Sequence, residues 1–219
     1  MYYNGTGVEK DYHKAIEWYQ KSANQGNATA QYNLGVMYRN GFGVEKDYQK
    51  AVEWYQKAAE QWESQAQNNL GFMYQYGYGV EKDYHKAIEL YQKAVNQGEA
   101  AAQTNLGLMY LNGYGVEKDY HKVVELYQKA AEQGYAAAQF NLGCLYYSGF
   151  GVEKDYHKVI ELHQKSANHG NATAQYNLGF MYERGYGVEI DYHKAVEWYQ
   201  KSANQGNENA QEALHRLGK

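Results

Sequence analysis

A period of 36 residues runs through this chain without insertion or deletion, and few other features constrain a fold so tightly. Ala-Gln stands at 30/31 and again at 66/67, 102/103, 138/139, 174/175 and 210/211. Asn-Leu-Gly recurs in the same register from Asn33-Leu34-Gly35 to Asn177-Leu178-Gly179, and Asp-Tyr from Asp11-Tyr12 to Asp191-Tyr192. A fixed period of this size marks a stack of similar supersecondary units, because one unit alone cannot bury its apolar face. The expected organisation is one repeat array over 1–219. It has a half unit at 1–26, full units at about 27–62, 63–98, 99–134, 135–170 and 171–206, and a capping helix at 207–219.

The ends of the array differ. Met1 falls in register with Met37, so the chain opens inside a unit. Glu208 to Leu217 reads as a polar version of a unit's first helix, with His215 in a slot that elsewhere holds Gly, as a capping helix requires.

Each unit reads as a helical hairpin. Between Asn27 and Trp62, a first helix from Ala28 to Asn40 begins behind Asn27, a good N-cap residue, and stops at Gly41-Phe42-Gly43. Asp47 caps the second helix, which runs from Tyr48 to Gln61 and ends at a slot that holds Gly in every copy except at Trp62. Helices of about 13 residues are marginal alone in water, so stacking must stabilise them. Ala30, Leu34, Met37 and Tyr38, with Ala51, Val52, Tyr55, Ala58 and Ala59, recur as a core would require. Gly35 recurs with them, although Gly costs a helix about 1 kcal/mol, which points to close packing against a neighbour.

Two helical-hairpin families share these features. Leu34-Gly35-x-x-Tyr38 followed by Ala51-x-x-x-Tyr55-x-x-Ala58 resembles the tetratricopeptide pattern, but that repeat is shorter and its turn lacks the Gly-x-Gly-Val element. Ala30-Gln31-Tyr32-Asn33-Leu34-Gly35, then Gly41-Phe42-Gly43-Val44-x-x-Asp47-Tyr48, then Trp54-Tyr55-x-Lys57-Ala58-Ala59, resembles the Sel1-like repeat family over essentially the whole chain. One departure is Glu, as in Glu9 and Glu45, where that family often has Pro. The resemblance implies an all-α fold, an α/α solenoid in which antiparallel helix pairs wind into a right-handed superhelix. It also implies a non-enzymatic adaptor whose first helices line a concave face.

The internal copies sort positions by role. At 100° per residue, positions 30, 31, 34, 37 and 38 share one side of the first helix and are nearly constant. Positions 29, 32, 33, 36, 39 and 40 share the opposite arc, and most of them vary. The candidate partner-binding residues therefore lie on that arc in successive copies. They are Tyr32, Asn33, Val36 and Arg39; Asn69, Phe72 and Tyr76; Asn105 and Leu108; Phe140, Asn141 and Tyr147; and Tyr176, Asn177, Phe180 and Arg184. Aromatic anchors with mixed charge suit an extended peptide or a partner helix, and Arg39 or Arg184 could take a carboxylate. The Asn at 33, 69, 105, 141 and 177 does not vary. Because Asn donates and accepts, this ladder either holds a peptide backbone or bonds the neighbouring helix.

Other chemistries find little support. Net charge is -4, with 21 basic and 25 acidic residues spread evenly, which leaves no basic patch for nucleic acid. No apolar run approaches the roughly 18 to 20 residues that cross a bilayer, so no membrane insertion is expected. The expected compartment is the cytoplasm by default, or a secreted or periplasmic one if an upstream signal peptide was removed. The histidines at 13, 85, 121, 157 and 193 recur one helix spacing apart, about 8 to 10 Å, too far to share a metal with bonds of about 2 Å. The Gly-x-Gly-Val turns lack the strand and the Lys-Ser/Thr of a phosphate loop. Cys144 stands where other copies have Val, Leu or Phe, and no base near it can be placed from sequence. Nor can His163 or His169, which replace a Tyr and a Gln, be given a partner at ligand spacing. The reading is therefore a protein- or peptide-binding scaffold with no catalytic residues, metal or cofactor. The alternatives are a self-assembling protein that dimerises through the N-terminal face of Tyr12 to Ala23, and, third, a hydrolase like the cysteine-rich relatives, whose paired cysteines are absent here.

Overall fold

The computed structural model describes residues 2–5, 7 and 9–219; Met1, on which the register of the chain start rests, lies outside them. The described residues form twelve α-helices and no strand. In order these are α1 (Tyr12–Asn24), α2 (Ala28–Asn40), α3 (Tyr48–Glu60), α4 (Ser64–Tyr76), α5 (Tyr84–Val95) and α6 (Ala100–Asn112). They continue as α7 (Tyr120–Glu132), α8 (Ala136–Ser148), α9 (Tyr156–Asn168), α10 (Ala172–Arg184), α11 (Tyr192–Ala203) and α12 (Glu208–Arg216). The chain forms two compact units, residues 1–109 with 114–116, and residues 110–113 with 117–219. In each, helix pairs pack in tandem: α2 on α3 and α4 on α5 in the first, α8 on α9 and α10 on α11 in the second. The fold is an all-α solenoid.

Local chemistry sets the helix ends. The side chain of Asp47 accepts a hydrogen bond from the Lys50 amide at 3.0 Å, and Asp11, Asp83, Asp119, Asp155 and Asp191 do the same in their copies. Gly41 closes α2 with φ 74°, in the left-handed region, and its amide bonds the Met37 carbonyl. The second glycine of the turn has a different duty. A Cβ on Gly43 would stand 2.6 Å from the backbone oxygen of Tyr12, so the turn between α2 and α3 is pressed onto the start of α1. Trp62 occupies the usual glycine slot at φ 64° and is the one non-glycine residue with positive φ among those described.

The constant positions are the core. Ala30, Leu34, Met37, Ala51, Val52, Tyr55 and Ala58 are buried, while Tyr38 and Ala59 are half-buried. The repeated glycine has its reason here: a Cβ on Gly35 would come within 2.5 Å of the Tyr55 ring. The same fit joins Gly71 to Tyr91 and Gly179 to Tyr199. The helix therefore gives up a side chain so that a buried aromatic ring can approach its backbone closely.

A second constant residue, the Gln of each Ala-Gln pair, ties three helices together. Gln31 donates to the Ala23 carbonyl at the end of α1 (3.2 Å) and accepts from Gln61 beyond α3 (2.8 Å). Gln67 repeats this with Ala59 and Gln97, and Gln175 with Ala167 and Gln205. Gln139 completes only half of it. It donates to Ala131 at 3.3 Å, but residue 169 is His, whose Nδ1 donates to its own helix at Lys165 (2.8 Å), and the Gln139 Oε1 is buried without a partner. An unpaired buried acceptor is costly. His169→Gln should therefore stabilise the protein by about 1 kcal/mol, read as a higher urea midpoint at an unchanged denaturant slope; an unchanged or lower midpoint would refute this account of the bridge.

Candidate binding surface

The varied arc of each first helix is only partly open to water: Asn68, Gln75, Thr104 and Glu183, at the positions of Tyr32 and Arg39 in other copies, are buried. Tyr32, Asn33, Val36 and Arg39 on α2 are all half-buried, as are Asn69 and Phe72 on α4, while Tyr76 is exposed. In the first unit the aromatic members gather with residues from the turns. Phe72 lies 4.5 Å from Tyr76 between ring centroids, and Tyr76 stacks on Tyr78, which stacks in turn on Tyr48 at 5.0 Å. Arg39 lays its guanidinium over the Phe72 ring at 4.9 Å, a cation–π contact that covers part of the ring and fixes the charge above it. Asn105 and Leu108 on α6 are half-buried.

The asparagine ladder is not uniform. Asn33 donates to Thr29 in its own helix (2.8 Å), whereas Asn105 donates to Asn68 on α4 (2.8 Å). Burial raises the Tyr32 phenol pKa, and the Asn69 side chain partly opposes that shift. Asn69 and Asn105 thus have contacts with other helices of the first unit.

In the second unit, Phe140, Asn141, Tyr176, Asn177 and Phe180 are half-buried, and Tyr147 and Arg184 are exposed. Tyr147 and Phe180 both approach Tyr186 of the following turn, at 6.3 and 5.8 Å. Arg184 lies over the Phe180 ring at 5.8 Å, with its Nε 3.9 Å from Glu183. The Glu183 carboxylate is buried and held by Arg216 of α12 through two bonds of 2.6 and 2.8 Å, and it accepts from the Tyr199 hydroxyl at 2.8 Å. The Arg216 guanidinium keeps that carboxyl below its ordinary range. Arg39 and Arg184, which the sequence offered to a partner's carboxylate, therefore already rest on aromatic rings.

The fold brings together one pair that sequence reasoning left apart. His163, in the slot held by Tyr55, Tyr91, Tyr127 and Tyr199 in other copies, is buried, and its Nε2 lies 3.9 Å from the Cys144 Sγ. Both residues line a cavity of about 350 Å³ with Tyr147, Ser148, Tyr176, Asn177, Phe180 and Met181. Burial pushes the Cys144 thiol up to about 11 and the His163 imidazole down to about 4. Near neutral pH the two are thus a neutral thiol and a neutral imidazole, with no thiolate–imidazolium pair. The departure of His163 and Cys144 from the other copies is visible in the 36-residue register, but their meeting at one cavity is not. Among the described residues no group of three His, Cys, Asp or Glu side chains could hold a metal, and no helix is long and apolar enough to cross a membrane.

The Sel1 repeat pattern matches residues 1–27, 28–61, 64–99, 100–135, 136–171 and 172–207. The chain belongs to the Sel1 repeat family. Solved structures agree with this assignment. A Sel1 repeat protein from Oxalobacter formigenes superposes with a TM-score of 0.88 at 38% identity, over 94% of this chain and 84% of that one. A protective antigen of uropathogenic Escherichia coli with an SLR fold gives a TM-score of 0.82 at 42% identity over 99% of this chain, which spans 46% of that antigen's length. An immunity protein from Pseudomonas aeruginosa gives 0.60 at 30% identity, over 84% of this chain and 67% of that one. No curated protein matches the chain.

The buried imidazole makes stability depend on pH. An unfolded His takes up its proton near pH 6.5, whereas His163 in the fold resists protonation down to about 4. Between these values the unfolded state binds more protons, so stability is fully present above pH 6.5 and declines as the pH falls through that window. Guanidinium midpoints measured from pH 7.5 to 5 should fall more steeply for the wild type than for His163→Tyr. Parallel curves would mean that His163 titrates normally.

Proposed function

We propose that this Sel1 repeat protein is a non-catalytic scaffold that holds a protein or peptide segment against the varied arc of its first helices. The observation that carries this reading is the split between the two sides of those helices. Most constant positions are buried in the stack, whereas several of the positions that differ between copies form partly exposed aromatic clusters around Phe72 in one unit and Phe180 in the other, with Asn68, Gln75, Thr104 and Glu183 of the same arc buried. Phe72 and Phe180 pack on the core with one side and remain partly open to water on the other, and large aromatic side chains placed so are the usual anchors of a binding surface. The family assignment supports the same reading, because stacked helical hairpins present extended surfaces to partners. The Asn ladder contributes polar groups beside the anchors, with Asn105 also bracing α6 on α4.

Peptides selected from a random library on the wild-type protein provide the test. Phe72→Ala combined with Phe180→Ala should weaken the selected peptides by at least about tenfold, measured calorimetrically, with the helical circular dichroism spectrum retained. Peptides that bind the double variant as well as the wild type would place the surface elsewhere.

A second reading, self-association through α1, draws on one residue. Trp18 is 60% exposed, whereas its equivalents Trp54 and Trp198 are half-buried. Trp18→Glu should shift a concentration-dependent elution volume in size-exclusion chromatography to that of a monomer. A wild-type elution volume that stays monomeric at every concentration removes this reading.

A further inference from the structure

The cavity beside His163 exists because three residues in the same neighbourhood are small or short for their positions. In the 36-residue register, Cys144 replaces the Val36, Phe72, Leu108 or Phe180 of other copies, and Ser148 replaces Asn40, Tyr76, Asn112 or Arg184. His163 replaces a tyrosine. The imidazole keeps the place of the missing ring. It stacks on Phe140 at 5.3 Å, as Tyr55 lies on Tyr32 at 6.0 Å and Tyr199 on Tyr176 at 5.6 Å, and a Cβ on Gly143 would meet it as one on Gly179 would meet Tyr199. What the imidazole lacks is reach. Tyr91 extends its hydroxyl to Gln75 at 2.6 Å, and Tyr199 reaches Glu183, whereas no side chain extends from position 163 toward the equivalent residue, Tyr147.

We propose that this cavity, opened beside the His163 ring by the short side chains at 144, 148 and 163, receives a tyrosine side chain presented by the bound segment of a partner. This rests on the scaffold reading above, since it names the chemistry that one part of the same surface recognises. Size permits it: an apolar cavity of roughly 150 Å³ already holds benzene, and this one, at about 350 Å³, has room for a phenol and the atoms that join it to a backbone. The lining fits as well. Tyr176, Phe180 and Met181 offer aromatic and apolar contact, while Ser148, Asn177 and the His163 ring bring polar groups to the same cavity. The His163 Nε2 remains unspent on a strong bond, since it faces a thiol at 3.9 Å. The uncharged imidazole keeps the cavity neutral near pH 7, so a neutral phenol is favoured over an anionic or cationic side chain.

Titration with N-acetyl-tyrosinamide, N-acetyl-leucinamide and N-acetyl-glutamate amide, followed by amide NMR shifts, tests the inference. The tyrosine amide should move the resonances of Cys144, Ser148 and Asn177 at millimolar concentration and bind at least about fivefold more tightly than the other two. Two substitutions that refill the space as sister copies do, His163→Tyr and Cys144→Phe, should each weaken it at least about tenfold. Thermal melting establishes that each variant is folded, so a lost signal reports on the cavity. Shifts of equal size with the leucine amide, no shift at those residues, or equal binding by both refilled variants would overturn the proposal. The scaffold reading fails separately. If library peptides still need Phe72 and Phe180 while the tyrosine amide leaves the cavity untouched, the scaffold stands and the cavity proposal falls. If the tyrosine amide binds as expected and no library peptide does, the cavity's preference for a phenol stands, while the scaffold reading and with it the presentation by a partner segment fall.

Discussion

The packing of a buried aromatic ring onto a bare stretch of helix backbone sets the spacing of everything else in this protein. Gly35, Gly71 and Gly179 stand under Tyr55, Tyr91 and Tyr199, and a methyl group at Gly35 or Gly179 would overlap the ring. The tyrosines are buried in full, so each contact removes a large apolar area from water. The cost of glycine within a helix is small beside that gain. Once the ring is seated, the two helices of a hairpin have a fixed separation, and the Gln bridge fixes the hairpin to the one before it.

A ring seated this way leaves its hydroxyl end to find a partner on the varied arc, which couples the core to the surface. Glu183 answers with a carboxylate shared with Arg216, and Gln75 answers with an amide. The Tyr55 and Tyr127 hydroxyls are buried with no hydrogen-bond partner. In the fourth full copy the tyrosine itself gives way to His163, beside a cavity of about 350 Å³. A repeated architecture can therefore acquire a local cavity through substitutions that leave the ring position, the Gly143 fit and the helix register intact.

Much of the fold was legible without coordinates because the repeat supplies its own comparison set. The first helix of each full copy was placed at Ala28 to Asn40 from Asn27 and Gly41, and the observed α2 has those limits because the cap bonds are local. The constancy of the Gln in each Ala-Gln pair is legible in the sequence, but its bonds to Ala23 and Gln61 are not, since they join α2 to the end of α1 and to the residue that follows α3. Cys144 and His163 were each noted as departures from the pattern. Their approach to 3.9 Å depends on the packing of α8 against α9, and no base near the thiol could be assigned before that packing was known.

The sequence by itself determined the helical hairpin, its period, its caps and the division of the first helix into a constant and a varied side. These follow from local hydrogen bonding and from periodicity, which are properties of neighbouring residues in the chain. The tertiary structure alone decided why glycine stands under Tyr55, Tyr91 and Tyr199, which asparagines brace another helix, and where small residues leave a cavity. Those depend on side chains from separate helices meeting in space, at distances that a 36-residue spacing does not encode.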